Sequence, residues 1–224
     1  MSATNRKQAA KAHDRYPTDI RLVQAAFDMM VEHHPEFMAR VGSFLEAGAG
    51  RGPFCETARL YCRGLRGFPV GVELHPQPKR FEYKLVQADF LRWKANMSFD
   101  FQATNPPFTW AEDFIRKGLE ILSPEGMMLY LMRIGVAAGV CRTELWKEVV
   151  KLKELWMVRR RPNFNVRSEK VEINPETGKK KVQGSDATEY AFFLMEHRTP
   201  ANATVPTIFR WLEWGGENAL EDQA

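Results

Sequence analysis

Three glycines at alternate positions, Gly48, Gly50 and Gly52, separate a short apolar segment, Ser43-Phe44-Leu45, from a proline-led stretch at residues 53–63 that reads as a helix. Glycine lacks a Cβ and accepts positive φ, so a strand, a glycine turn and a helix in this order let backbone approach a ligand closely. The spacing departs from the Gly-x-Gly-x-x-Gly of dinucleotide sites. Further short apolar or alternating segments follow at residues 69–74, 84–88, 99–104 and 127–133, with helical stretches at 111–122, closed by a Ser123-Pro124-Glu125-Gly126 turn, and 143–153, and late strands at 154–161 and 189–196. Strands alternating with helices predict an α/β fold with a mostly parallel sheet.

The chain entry supports this. Thr18 or Asp19 is placed to cap a helix, and Leu22, Val23, Ala26, Phe27 and Met30 recur at helical spacing until Pro35, before which His33-His34 suits a helix end. At 224 residues and 44% hydrophobic, the chain suffices for one substantial core. Its apolar runs are far shorter than the roughly 20 residues needed to cross a bilayer. The polar start has no signal-peptide core, which predicts a cytoplasmic protein without membrane contact. Cys55, Cys62 and Cys141 form no CxxC pair and have no histidine at ligand spacing, so they read as reduced and structural, and no metal is expected.

Two strand-end acids and a tetrapeptide give the glycine turn its chemistry. Glu73, 23 residues beyond Gly50, ends the next strand, where a carboxylate can accept both hydroxyls of a ribose. Asp89, followed by Phe90, ends the strand after that, where it can accept an adenine amino group. For each acid alone, a solvated turn is the competing reading. Asn105-Pro106-Pro107-Phe108 follows the apolar run at 99–104. An amine conjugated to a base is a poor nucleophile until its hydrogens are accepted and its lone pair leaves the ring. The Asn105 side-chain oxygen and the Pro106 carbonyl, held by two prolines, can accept the two N–H bonds, and Phe108 can stack on the ring. A rigid turn without function is the alternative.

In these elements the chain resembles the S-adenosylmethionine-dependent amino-methyltransferases, particularly the N6-adenine DNA methyltransferases of phages and restriction-modification systems, from Tyr16 to about Met195. Phe44 to Gly50 is similar to the family's first donor motif, including Glu46, Ala47, Gly48 and Gly50. Glu73, with Leu74, resembles its ribose-binding acid, Asp89-Phe90 its adenine-binding motif, and Tyr16-Pro17-Thr18 the segment that touches the methionine moiety. Asn105 to Phe108 resembles its catalytic motif. The resemblance implies a Rossmann-like, seven-stranded class I methyltransferase sheet with helices on both faces, S-adenosylmethionine as donor, and double-stranded DNA as partner, with the target base flipped out. Related tetrapeptides serve enzymes acting on RNA amines and on protein glutamine.

The late part of the chain bears on the substrate. Residues 158–181 hold eight Lys or Arg against three Glu, a net +5, whereas the whole chain carries +4. Asn174-Pro175-Glu176-Thr177-Gly178 between polar arms predicts an exposed hairpin or a loop that orders on binding. The segment resembles the insert that faces the target base in small phage enzymes, which implies base or phosphate contacts from Phe164, Asn165, Arg167, Lys170, Lys179, Lys180 and Lys181. A solvated charged hairpin is the competing reading. The expected organisation is a flexible basic arm at 1–15, a methyltransferase domain at 16–200 with a substrate-facing insert at 165–186, and an extension at 201–224. A catalytically idle nucleic-acid-binding module with the same fold is a further alternative.

Overall fold

The computed structural model describes residues 17–77, 82–160, 162, 171–173, 180–182 and 188–215, with 171–173 and 180–182 described by backbone alone. Tyr16, Phe164, Asn165, Arg167, Lys170 and Lys179 lie outside the described residues, as do the arm at 1–15 and the last nine positions.

The first helix, α1 (Ile20–His33), begins where the Asp19 carboxylate accepts the Arg21 N–H at 2.9 Å. Leu22, Val23, Ala26, Phe27 and Met30 form its buried stripe, as their spacing predicts. The short α2 (Pro35–Arg40) leads to β1 (Phe44–Ala47), the glycine turn, α3 (Pro53–Tyr61), β2 (Val70–Glu73), β3 (Lys84–Gln87) and β4 (Phe99–Thr104). After α4 (Ala111–Glu120) come β5 (Leu122–Arg133), β6 (Val150–Val158), β7 (Val171–Ile173), β8 (Lys180–Val182), β9 (Tyr190–His197) and β10 (Ile208–Leu212).

The main sheet runs β10-β6-β9-β5-β4-β1-β2-β3. Its pairings are parallel except those of β9, which lies antiparallel between β5 and β6. The expectation of seven strands is corrected to eight. Ile208–Leu212 pairs in parallel with the stretch from Glu154 to Val158, so the apolar piece near the chain end covers the backbone edge that β6 would otherwise expose. β7 and β8 form a separate antiparallel ribbon within the basic insert.

Successive strand residues feed opposite faces, and each face has its own core. Phe44, Phe101, Leu129, Leu131, Phe192 and Leu194 pack with α1, α2 and α3. Leu45, Met128, Tyr130, Met132, Phe193 and Met195 pack with Phe114 and Ile115 of α4. Burial on both sides explains why β5 and β9 read as continuous apolar runs rather than alternating ones. Phe101 is a hub on the first face, with ring centroids 5.5 Å from Phe27, 5.6 Å from Phe37 and 5.4 Å from Phe44.

Two sequence boundaries give way to tertiary pairing. The helix expected at 143–153 reduces to one wide turn, Leu145–Val149, because Val150 onwards pairs with β9, where a β-branched residue suits the ladder. Ser123-Pro124-Glu125-Gly126 does not end the element as a turn. It bulges between the Phe99–Leu122 and Phe101–Met127 pairs, which spares Pro124 the ladder hydrogen bond it cannot donate.

A buried ionic cluster ties the end of α1 to the far edge of the sheet. Glu154 is 1% exposed, and its carboxylate accepts from His34 Nε2 at 2.8 Å, Trp156 Nε1 at 2.8 Å and Arg210 Nε at 2.6 Å. Burial opposes ionisation, but these hydrogen bonds outweigh it and hold the carboxyl down at about 2. A carboxyl depressed by folding stabilises the native state above its ordinary value near 4.5, and that contribution disappears as pH falls towards 2. Acid titration of the folded protein should therefore lose up to about 3 kcal/mol from this group across that window. Unfolding curves of Glu154→Gln should show a shallower acid dependence over the same range, together with lower stability at neutral pH.

Candidate active site

β3, β2, β1 and β4 lie side by side and point the same way, so Asp89, Glu73, the glycine turn and Asn105 come to one end of the sheet. This is the carboxyl end of the strands, where parallel α/β sheets present their ligand crevice.

The turn is built around left-handed backbone. Gly48, Gly50 and Gly52 have φ of 67°, 53° and 78°. The N–H groups of Gly48 and Ala49 donate to the Val72 carbonyl at 2.7 and 3.0 Å. Gly50 N–H donates to Glu73 Oε2 at 2.9 Å, while Glu73 Oε1 accepts from His75 N–H at 2.9 Å. Glu73 thus braces the turn against the end of β2. A Cβ on Gly50 would meet nothing within 4 Å, and one on Gly48 would come within 4.0 Å of Pro107 and 3.7 Å of Phe114. The turn therefore presents bare backbone with room above Gly50, which suits a donor lying across it. Gly52 is confined for another reason: its Cβ would sit 2.2 Å from the Tyr83 ring.

Glu46 faces inward. It is 2% exposed, and its Oε2 accepts the Cys55 N–H at 2.8 Å, which satisfies a donor in the first turn of α3. Burial pushes its carboxyl up to about 8. Ala47 is buried, and its carbonyl accepts from the Thr104 hydroxyl, which joins the ends of β1 and β4. Asp89 Oδ1 accepts the Leu91 N–H at 3.1 Å in a local turn. Phe90 packs inward with its ring 4.9 Å from Phe114, and Leu74 stands exposed beyond Glu73.

Asn105 follows β4 directly, and its Nδ2 donates to Thr18 Oγ1 at 3.1 Å. Pro106 is buried; Pro107 accepts the Trp110 N–H at 2.9 Å and leads the chain through a short 3-10 turn, Phe108–Trp110, into α4. The Phe108 ring lies 5.3 Å from Tyr190, and the Arg133 guanidinium carbon sits 4.7 Å from its centroid. Thr18, Gly48, Asn105 and Phe108 thus converge, although 87 residues separate Thr18 from Asn105.

Several of these neighbours were not singled out from sequence. Thr104 and Arg133 each carry a positional signal, a polar residue closing an apolar strand, and Thr104 directly precedes the tetrapeptide. Tyr190 lies in the late strand expected at 189–196, but its contact with Phe108 depends on β9 packing against β5. Tyr83 has no such signal. His34 does sit at the end of α1, where its N–H donates to the Met30 carbonyl, and its ring in addition meets Glu154. Cys55 and Cys62 are buried, as structural cysteines should be, while Cys141 is exposed; all three are free. Among the described residues no group of three or more His, Cys, Asp or Glu is placed to hold a metal, and no helix is long and apolar enough to cross a membrane.

Glu46→Gln preserves the acceptor to Cys55 and removes the ionisation. A carboxyl raised by burial costs native stability progressively as pH rises from its ordinary value of 4.5 to about 8. Thermal or denaturant unfolding should show the wild type losing ground against Glu46→Gln across that interval, with no further divergence above it.

No protein-family model and no curated protein sequence matches the chain. Solved structures do. A candidate class I S-adenosylmethionine-dependent methyltransferase from Listeria monocytogenes superposes with a TM-score of 0.56 at 14% identity, over 84% of this chain and 62% of that one. The type I restriction-modification methyltransferase subunit from Streptococcus thermophilus gives 0.54 at 14% identity, over 83% and 45%. The M protein of the type I restriction enzyme EcoKI gives 0.55 at 15% identity, over 85% and 45%. The chain thus spans less than two thirds of each of these proteins, and what it shares with them is the Rossmann-like fold of the class I methyltransferases.

Proposed function

We propose that the chain transfers a methyl group from S-adenosylmethionine to the exocyclic N6 amine of adenine in DNA, acting on a base turned out of the duplex. The observation that carries this reading is the convergence of the glycine turn after β1 with Asn105-Pro106-Pro107-Phe108 after β4. The donor supplies an electrophilic methyl group on a sulfonium. Glu46, Ala47, Gly48 and Gly50 form the turn that holds it, Glu73 and Leu74 take the ribose side, Asp89 and Phe90 the adenine side, and Tyr16 and Thr18 the methionine side. Asn105 Oδ1 and the Pro106 carbonyl accept the two N–H bonds of the target amine, which frees its lone pair for attack. Phe108 stacks on the base, and Tyr190 and Arg133 hold that ring in place. Transfer then depends on alignment and removal of water rather than on a covalent enzyme intermediate.

The choice of DNA adenine draws on the family resemblance of the tetrapeptide and on the presence of two restriction-modification methyltransferase subunits among the similar folds. In the same reading, the domain runs over 16–200 between a basic arm at 1–15 and an extension at 201–224, in a cytoplasmic protein. Its insert at 165–186 faces DNA through Asn165, Arg167, Lys170, Lys179, Lys180 and Lys181, with Phe164 just before it contacting the base. The +5 charge of residues 158–181 supports this assignment.

Labelled methyl transfer to unmethylated duplex DNA and to total RNA, followed by digestion to nucleosides, tests the reading. The expected product is N6-methyladenine in DNA, reduced by about 100-fold or more in Asn105→Ala. Label confined to RNA would move the assignment to an RNA amine, and label in neither would overturn a nucleic-acid substrate. Replacing Lys179, Lys180 and Lys181 with Gln should weaken DNA binding and lower the slope of log affinity against log salt by up to about 3. An unchanged slope would remove the insert from the interface.

A further inference from the structure

An asparagine that activates an amine must present its oxygen and not its nitrogen. The two ends of a carboxamide are nearly identical in shape, yet one accepts hydrogen bonds and the other donates two. Turned the wrong way, Asn105 would set its own N–H groups against those of the target. Pro106 restrains the backbone after Asn105 but does not set rotation of the amide about its last side-chain bond. A separate group has to do so.

One such group in contact is Thr18, whose Oγ1 lies 3.1 Å from Asn105 Nδ2. Its position follows from the start of α1. Thr18 directly precedes the capping residue Asp19, whose carboxylate accepts from Arg21 N–H, and the helix behind it buries Leu22, Val23, Ala26, Phe27 and Met30. Asn105 is anchored from the other side, since the preceding Thr104 donates to the Ala47 carbonyl. The hydroxyl and the amide are therefore each carried by an element fixed in the core.

We propose that Thr18 is a positioning residue for the transfer. By accepting from Nδ2, its hydroxyl sets the rotation of the Asn105 amide so that Oδ1 is the end presented to the target amine. This rests on the proposed function, and it goes beyond the donor contact that the family resemblance assigns to Thr18. It also makes the start of the first helix part of the acceptor site, so the amine pocket is complete only when the chain entry is docked.

The test compares Thr18→Val, which keeps the shape and removes the acceptor, with Thr18→Ser, which keeps the hydroxyl. Thr18→Val should lower kcat at saturating S-adenosylmethionine by about tenfold, the order expected for one lost hydrogen bond in a transition state, with the melting temperature and DNA KM close to wild type and any loss of donor affinity made up by the saturating donor. Thr18→Ser should recover most of that loss. A Thr18→Val enzyme within twofold of wild type in kcat overturns the proposal, as does a Thr18→Ser enzyme equally impaired. A loss confined to donor affinity and restored at saturating S-adenosylmethionine also overturns it, leaving Thr18 a donor ligand only.

Nitrogen-15 NMR of the Asn105 carboxamide, assigned by its disappearance in Asn105→Asp, gives a readout independent of turnover. The hydrogen facing Thr18 should be protected from solvent exchange in wild type and Thr18→Ser, and unprotected in Thr18→Val. If the wild type transfers no methyl group to any nucleic acid, the proposed function falls. The NMR pattern then decides the contact alone: the expected pattern upholds it, and identical spectra overturn it.

Discussion

The site depends on the parallel pairing of β1 with β4. Phe44 lies opposite Phe101 and Leu45 opposite Gln102, so two strands distant in sequence end at the same level. The Thr104 hydroxyl adds a side-chain bond to Ala47 just where both strands stop. Past that point one strand becomes the glycine turn and the other the Asn-Pro-Pro-Phe segment. Their separation is therefore set by ladder geometry, with strands about 5 Å apart, rather than by flexible loops. The aromatic contacts of Phe101 with Phe27, Phe37 and Phe44 support that pairing from one face, and Phe99 with α4 from the other.

Around this frame, buried acids act first on the protein itself. Glu46 satisfies an N–H at the start of α3, Glu73 ties Gly50 to the end of β2, and Glu154 joins α1, β6 and β10. Their environments differ in sign. Glu46 accepts a backbone N–H and is pushed towards its neutral form by burial, whereas Glu154 accepts from His34, Arg210 and Trp156 and stays ionised. Residues of one chemical type thus serve opposite electrostatic tasks, and sequence position alone does not tell them apart.

Phe108 shows how a site ring can be defined by distant elements. Its own segment places it after Pro107, but its packing comes from Arg133 at the end of β5 and Tyr190 at the start of β9. Arg133 and Tyr190 are register partners in the antiparallel pair of those strands, which brings both to the same end of the sheet as Asn105. The antiparallel β9 thereby carries a side chain to a crevice otherwise formed by parallel strands.

Much of this was legible in the chain, because local signals act locally. Asp19 as a cap, the helical stripe of α1, the glycine turn, and the strands ending at Glu73 and Thr104 follow from capping chemistry, periodicity and the absence of a Cβ. The signals that misled were also local: Thr143 to Lys153 fits a helix until β9 claims Val150, and Ser123-Pro124-Glu125-Gly126 reads as a turn until β4 pairs on both sides of it. By itself the sequence determined the fold class, the elements bearing the glycine turn and the tetrapeptide, and the residue types able to hold an amine. Only the tertiary structure decided that Thr18 meets Asn105, that Arg133 and Tyr190 pack on Phe108, and that an eighth strand closes the sheet, because contacts between residues far apart in sequence depend on strand order and register.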